Sequence, residues 1–301
     1  MFTIDPKEQD LRTVHSYLLA AVAPRPIAFA STIDKKGKVN LSPFSFFNVF
    51  SAKPPIMIFS PARSGRTGET KHSYQNVKEV PEVVINIVNM PMVDQMNLAS
   101  SEFDKGVNEF TKAGFTELKS DIVKPPRVAE SPAQFECKVR DVVELGDWGG
   151  AGNLIVCEVL KMHFNENILD ENNKVDTEKI DLVGRMGSDF YVHANKQALF
   201  KMKKPVPGKL GIGLDKIPKS VLESKLLSLS DLAKLGSAHT LPVEEEIEEM
   251  KTHPEIQLLL HSLKDKVELE KELHEIAGRM IMNDNIEDAW KVLMIADSNS
   301  V

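Results

Sequence analysis

Ser42, Ser45 and Asn48 stand among Phe44, Phe46, Phe47 and Phe50 in the run 39–50. That mixture suits a planar heteroaromatic ligand. Apolar rings cover its faces, while hydroxyls and freed backbone groups meet its polar edge. Pro43 has no N–H to donate, so it marks a sheet edge, a bulge or a loop. By themselves, phenylalanines at strand spacing read first as barrel core. The run gains meaning from the loop behind it. Ser60, Arg63, Ser64, Arg66, Thr67, Thr70 and Lys71 gather hydroxyls and three cations before a helix expected over residues 69–79. A helix N-terminus presents free N–H groups and attracts an anion. The alternative is a solvated basic loop capped by Ser64 or Thr67. Taken together, run and loop suit a mononucleotide-like ligand. Its ring lies along Ser42 to Asn48 and its phosphate near Thr70 and Lys71.

The other chemistry-bearing residues give weaker signals. Cys137 and Cys157, the only cysteines, lie in β-like runs without histidines at ligand spacing. They read as buried reduced thiols. His163, at the end of a strand, can face the site, but a structural or surface histidine is the plainer reading; His72 and His193 have the same status. No histidine–carboxylate pattern spells a metal site, and no Gly-x-Ser-x-Gly elbow suggests a hydrolase. Four glycines in residues 146–152 are not followed by a helix, so they read as a hairpin rather than a phosphate cradle.

Several elements must position these residues. Residues 5–23 carry Leu11, Val14, Leu18 and Leu19 at helical spacing. Three β-rich runs in residues 23–60, parted by turn signals, predict a small antiparallel meander. After the 69–79 helix, which stops before Pro81, residues 83–88 read as a buried strand. Residues 92–101 read as a helix and 101–114 as a polar loop. Long strands are expected over 133–145 and 152–165.

Pro205 to Gly208 marks a boundary, so a barrel domain of residues 1–204 and a helical extension of 205–301 are expected. In the extension, helices are expected over 221–227, 229–235, 242–252, 254–263, 265–281 and 286–296. Leu269, Leu273, Ile276 and Met280 line one helical face. Its expected partners are Leu258, Leu259, Leu260, Trp290, Leu293 and Met294.

Of 37 Lys+Arg and 44 Asp+Glu, residues 205–301 hold 11 and 18, a net of −7. Residues 1–204 hold the remaining 26 and 26, a net of zero. No basic stripe argues for nucleic acid. No apolar run approaches the ~20 residues of a membrane span. The N-terminus lacks the basic and apolar regions of a signal peptide, so the cytoplasm is the expected compartment.

Pro24 to Ala28, Asn40 to Asn48, Pro54-Pro55 with Phe59-Ser60, and Thr70-Lys71 followed by Asn86 to Val88 resemble the flavin reductase-like, flavoredoxin-type proteins. The resemblance covers roughly residues 10–195. The family's closing segment usually has Gly-Gly where this chain has Gly187-Ser188. The resemblance implies a mainly β fold with helices, the FMN-binding split β-barrel, in a homodimer with flavin near the subunit interface. It implies flavin contacts at Ser42, Ser45, Phe46, Phe47, Asn48, Ser60, Thr70 and Lys71, with Arg25 a further candidate. It also implies FMN as cofactor and NAD(P)H as donor for hydride transfer, with no catalytic side chain required. Two alternatives remain: an FMN electron-transfer protein without its own nicotinamide site, and a non-enzymatic flavin binder whose extension docks another protein. Fold alone does not fix the reaction.

Overall fold

The computed structural model describes residues 1–298, and the chain divides after Phe200 into two compact units. The first opens with α1 (Leu11–Ala21), where the Asp10 carboxylate accepts from the Thr13 N–H at 2.9 Å. That bond caps an otherwise unsatisfied helix start. Next come β1 (Ala28–Ile33), β2 (Val39–Phe44), β3 (Phe47–Ala52) and β4 (Pro55–Phe59), then α2 (His72–Glu79) and β5 (Glu82–Ile87). Two short helices, α3 (Val93–Ala99) and α4 (Glu109–Ala113), precede the brief pair β6 (Glu117–Leu118) and β7 (Arg127–Val128). The long hairpin β8 (Ala133–Glu144) and β9 (Asn153–Phe164) follows, then the small pair β10 (Val183–Arg185) and β11 (Tyr191–His193).

Seven strands form one antiparallel sheet in the order β2-β1-β5-β8-β9-β4-β3. The expected meander is therefore two hairpins, β1–β2 and β3–β4, on opposite edges. Pro43 lies in edge strand β2, where its missing N–H costs no ladder bond. Only Ser45 and Phe46 separate the two edges. Three residue steps reach about 10 Å, whereas seven flat strands would span nearly 30 Å. The sheet must curl until its edges meet at this end. The Phe44 and Phe59 rings, 5.4 Å apart, pack across the junction. The result is a split barrel.

All six residues of β1 are buried, because both faces are covered. Ala28 and Ala30 join Phe59, Ile85, Phe135 and Ile155 in one core, closed by Tyr74 and Val77 of α2. Phe29 faces the other way, into Leu41, Met92, Met96 and Phe110 beneath α3 and α4. Helix α4 falls within the expected 101–114 loop. Asn108 caps its start, and Gly114, at φ +71°, ends it.

The second unit is helical: α5 (Lys219–Leu222), α6 (Leu229–Gly236), α7 (Glu244–Lys251), α8 (Pro254–Ser262), α9 (Lys266–Met282) and α10 (Ile286–Ser298). Leu269, Leu273 and Ile276 are buried in its own core, with Met280 packed against it. Trp290 belongs to the same core, and its Nε1 donates to the Leu235 carbonyl at 3.0 Å. Leu259 and Leu260 pack there too, while Leu258 stays exposed, so α8 offers only part of its leucine run. Among the described residues, no helix is long and apolar enough to cross a membrane.

Candidate functional site

Helix α2 begins at His72, so Lys71 is its N-cap and Thr70 lies in the loop before it. A cavity of about 280 Å³ opens there, lined by Ser42, Arg66, Thr70 and Lys71 among others. Ser42 thus shares one chamber at a helix N-terminus with residues that follow it far along the chain. Thr70 is held by Gln75, whose Nε2 donates to Oγ1 at 3.1 Å and to the carbonyl at 3.3 Å. Arg63 is engaged elsewhere: its Nη1 donates to the Gly68 carbonyl at 3.3 Å, and its Nη2 lies 4.0 Å from Glu144.

The residues of the ring end gather at the link between the barrel edges. Phe46 is 40 % exposed and meets the His15 ring edge-on; Phe47 is half-buried against the barrel core. Ser60 is buried and fastens the link. Its N–H donates to the Phe46 carbonyl at 2.8 Å, and its Oγ accepts from the Asn153 N–H at 3.1 Å. Asn48 is exposed on β3, with Oδ1 accepting from the Val49 N–H at 2.8 Å. Ser45 Oγ accepts from Arg25 Nε at 3.4 Å.

The remaining donors of Arg25 go mostly to backbone. Nη1 donates to the carbonyls of Leu19 and Val22, each at 2.6 Å, and Nη2 to that of Met186 at 2.8 Å. This buried guanidinium ties the end of α1 and the segment after β10 to the link. Burial, with Arg185 nearby, holds its pKa below the ordinary arginine value.

The tip of the β8–β9 hairpin supports the basic loop. Arg63 N–H donates to the Ala151 carbonyl at 2.9 Å, and Gly150 N–H to the Arg63 carbonyl at 3.1 Å. A Cβ on Gly149 would stand 3.0 Å from the Ser64 carbonyl oxygen, so only glycine fits without a shift.

Among the polar residues of the cavity that sequence reading missed are Glu109, Asn40 and Glu102. Glu109, in the first turn of α4, is buried and accepts from the Leu41 N–H at 2.8 Å. Burial raises its pKa. Turned with its nitrogen toward Glu109, the Asn40 amide donates to Oε1 at 3.3 Å and accepts from Ser73 Oγ at 2.9 Å. Glu102 is the third; its carboxylate reaches Arg66 at 2.8 Å and Lys71 at 3.7 Å. Asn108 and Gly114 are the local signals that could have marked α4, and with it Glu109; no local signal marks Glu102.

The histidines lie in separate networks. His163 Nε2 is 2.7 Å from Oε1 of the fully buried Glu136. Glu136 also accepts from the N–H groups of Asp121, Ile122 and Val123 at 2.8, 2.6 and 3.1 Å. Asp121, Glu136 and His163 bring ligand-type atoms within 4.8 Å of one another, a grouping the sequence reading did not anticipate. These donors already satisfy Glu136, and Lys161 pairs with Asp121. The grouping is a hydrogen-bonded hub. His193 pairs with Asp181 at 2.5 Å. His72 lines the cavity, and burial first, then Lys105 and Lys71, lowers its pKa. Both cysteines are free and buried; burial pushes the Cys137 thiol far above its ordinary pKa.

This architecture, a curled antiparallel sheet with a cavity at a helix end beside its aromatic junction, is that of split-barrel proteins. Residues 20–181 match the flavin reductase like domain, and the chain belongs to that family. An uncharacterised protein of Aquifex aeolicus is 39% identical over 197 residues, covering 65% of this chain and 97% of its own length. Among solved structures, nitrilotriacetate monooxygenase component B from Bacillus cereus aligns at TM-score 0.62 with 26% identity, over 68% of this chain and 98% of that one. A Shewanella frigidimarina protein described as a flavin reductase with split barrel domain aligns at TM-score 0.57 with 22% identity, over 68% and 100%. Its likeness bears on fold alone. The chain is thus a flavin reductase-like oxidoreductase.

Proposed function

We propose that this chain is an NAD(P)H-dependent flavin oxidoreductase that binds FMN non-covalently and works as a cytoplasmic homodimer. The observation that carries the reading is the meeting of Ser42, Thr70 and Lys71 in one cavity at the start of α2, beside the Ser45–Phe46 junction. The donor set fits a flavin mononucleotide. Lys71, the Thr70 hydroxyl and the first N–H groups of α2 hold the phosphate. Phe46 and Phe47 cover the ring, while Ser45 and Asn48 donate to its polar edge. Ser60 and Arg25 keep the junction in place. Bound FMN supplies two-electron redox chemistry, for which we propose NAD(P)H as the reductant. The protein's part is to orient the ring and set donors where negative charge develops.

The proposed homodimer rests on edge strand β3, whose Val49 and Phe50 are 58 % and 63 % exposed. An apolar open edge is a surface that a second copy would cover. Two free buried thiols suit the reducing cytoplasm.

The test is the visible spectrum of the FMN-loaded protein during anaerobic addition of NADH and then NADPH. Bleaching by either nucleotide supports the oxidoreductase. Bleaching by dithionite alone selects an electron carrier. Failure to take up FMN selects a binder of other ligands.

A further inference from the structure

Carboxylates in the α2 cavity oppose the phosphate that its cations and helix N-terminus would hold. Arg66 and Lys71 supply two positive charges, and burial keeps His72 from readily adding a third. Glu69, Glu102 and Glu109 line the same chamber. Glu69 accepts from Thr67 Oγ1 at 3.2 Å, and Glu109 is fixed to the Leu41 N–H. Glu102 alone engages the cations: one oxygen is 2.8 Å from Arg66 Nη2, the other 3.7 Å from Lys71 Nζ. A phosphate monoester presents the same kind of two-oxygen face to such a pair. The carboxylate also joins the two walls of the chamber. Glu102 comes from the stretch between α3 and α4, Arg66 and Lys71 from the loop before α2.

Resting on the FMN reading above, we propose that Glu102 holds the phosphate position and must be displaced by it. Glu102 is therefore the residue that limits how strongly this chain prefers FMN to riboflavin. Riboflavin has no phosphate, so it binds without disturbing the Glu102 pairs. FMN gains two cationic partners only by breaking those pairs and moving the carboxylate aside. Exposure makes this feasible: Glu102 is 65 % exposed, and surface ion pairs are weak.

The experiment compares FMN and riboflavin binding to the full chain, by flavin fluorescence quenching, in wild type, Glu102→Gln, Lys71→Ala and the double variant. Glu102→Gln keeps size and polarity but removes the charge. It should tighten FMN about three- to fivefold and leave riboflavin unchanged. The gain should shrink when Lys71→Ala is also present. Unchanged or weaker FMN binding by Glu102→Gln, with wild type still preferring FMN through Lys71, overturns the role of Glu102 alone. Equal affinities for FMN and riboflavin, insensitive to Lys71→Ala, overturn the phosphate reading itself.

Discussion

Arg25 and Asn48 divide the labour at the barrel junction. Arg25 reaches three backbone carbonyls and Ser45 from three nitrogens held in one plane, an arrangement that the single nitrogen of a lysine cannot reproduce. Arg25→Lys should cost about 2 kcal/mol of stability, read as a lower melting temperature. A fall in flavin affinity with the melting temperature held would instead put the guanidinium on the flavin. Asn48 belongs to the ring end, which FMN and riboflavin share. Asn48→Leu should weaken both about three- to tenfold, the worth of one neutral hydrogen bond, at constant melting temperature. Equal wild-type affinities would assign Asn48 to its bond with Val49 alone. The residues in the cavity were legible where type and local order sufficed: Ser42, Thr70 and Lys71 announce themselves. Glu102 and the Glu136 hub were not, because charge pairing between distant segments leaves no mark in a short window.

At the scale of elements, strands were easier to read than their partners. Three β-rich runs were legible where β1 to β4 stand; the middle run divides at Ser45 and Phe46 into β2 and β3, and the places of the two hairpins on opposite edges depend on β5, β8 and β9, far along the chain. Short elements were lost for another reason. Helix α4 has five residues and β10 and β11 three each, too few for a period to show. The hairpin tip carries a testable consequence. Gly149→Ala places a methyl carbon 3.0 Å from the Ser64 carbonyl. Overpacking of this kind costs about 1–3 kcal/mol, and the displaced loop should also weaken FMN. Unaltered melting and binding would mean that tip and basic loop are not coupled. Helix α9 carries a pH dependence. His274 is 3 % exposed, with Nδ1 2.9 Å from Ser224 Oγ and Nε2 buried without a partner. Burial lowers its pKa from 6.5, with Glu270 opposing. The unfolded chain takes up a proton as pH falls through 6.5; the folded helix resists. The stability this site contributes is therefore fully present above that pH and is lost as pH falls from 6.5 through the lowered value of the folded helix. Trp290 fluorescence in a Trp148→Phe background should report unfolding at lower denaturant at pH 5.5 than at pH 7.5. His274→Gln should flatten the difference; an equal acid loss in that variant would point to another group.

The whole molecule joins two units of unlike composition. The first builds its core on a sheet whose strands pair across long stretches of chain, as β4 does with β9 where Ile56 meets Glu158. The second buries Leu273, Ile276, Trp290 and Leu293 among its own helices. Each unit therefore has what a domain needs to fold, a separate apolar core. Among the described residues, none lining the α2 cavity lies beyond Glu109, and the junction residues all precede position 61. A chain ending at Lys204 should thus remain folded, take up FMN with wild-type affinity and keep the oligomeric state of the full chain. Circular dichroism, flavin titration and light scattering read these three outcomes separately. Solubility should change, because residues 205–301 carry the net −7 and the remainder is balanced at 26 charges of each sign. A chain near zero net charge associates more readily at neutral pH, so the truncated protein should precipitate at lower concentration and recover in low-micromolar solution. Loss of FMN binding with the β spectrum intact would make the helical unit part of the flavin site. Loss of the oligomer alone would make it part of the subunit contact and leave the site where the barrel places it.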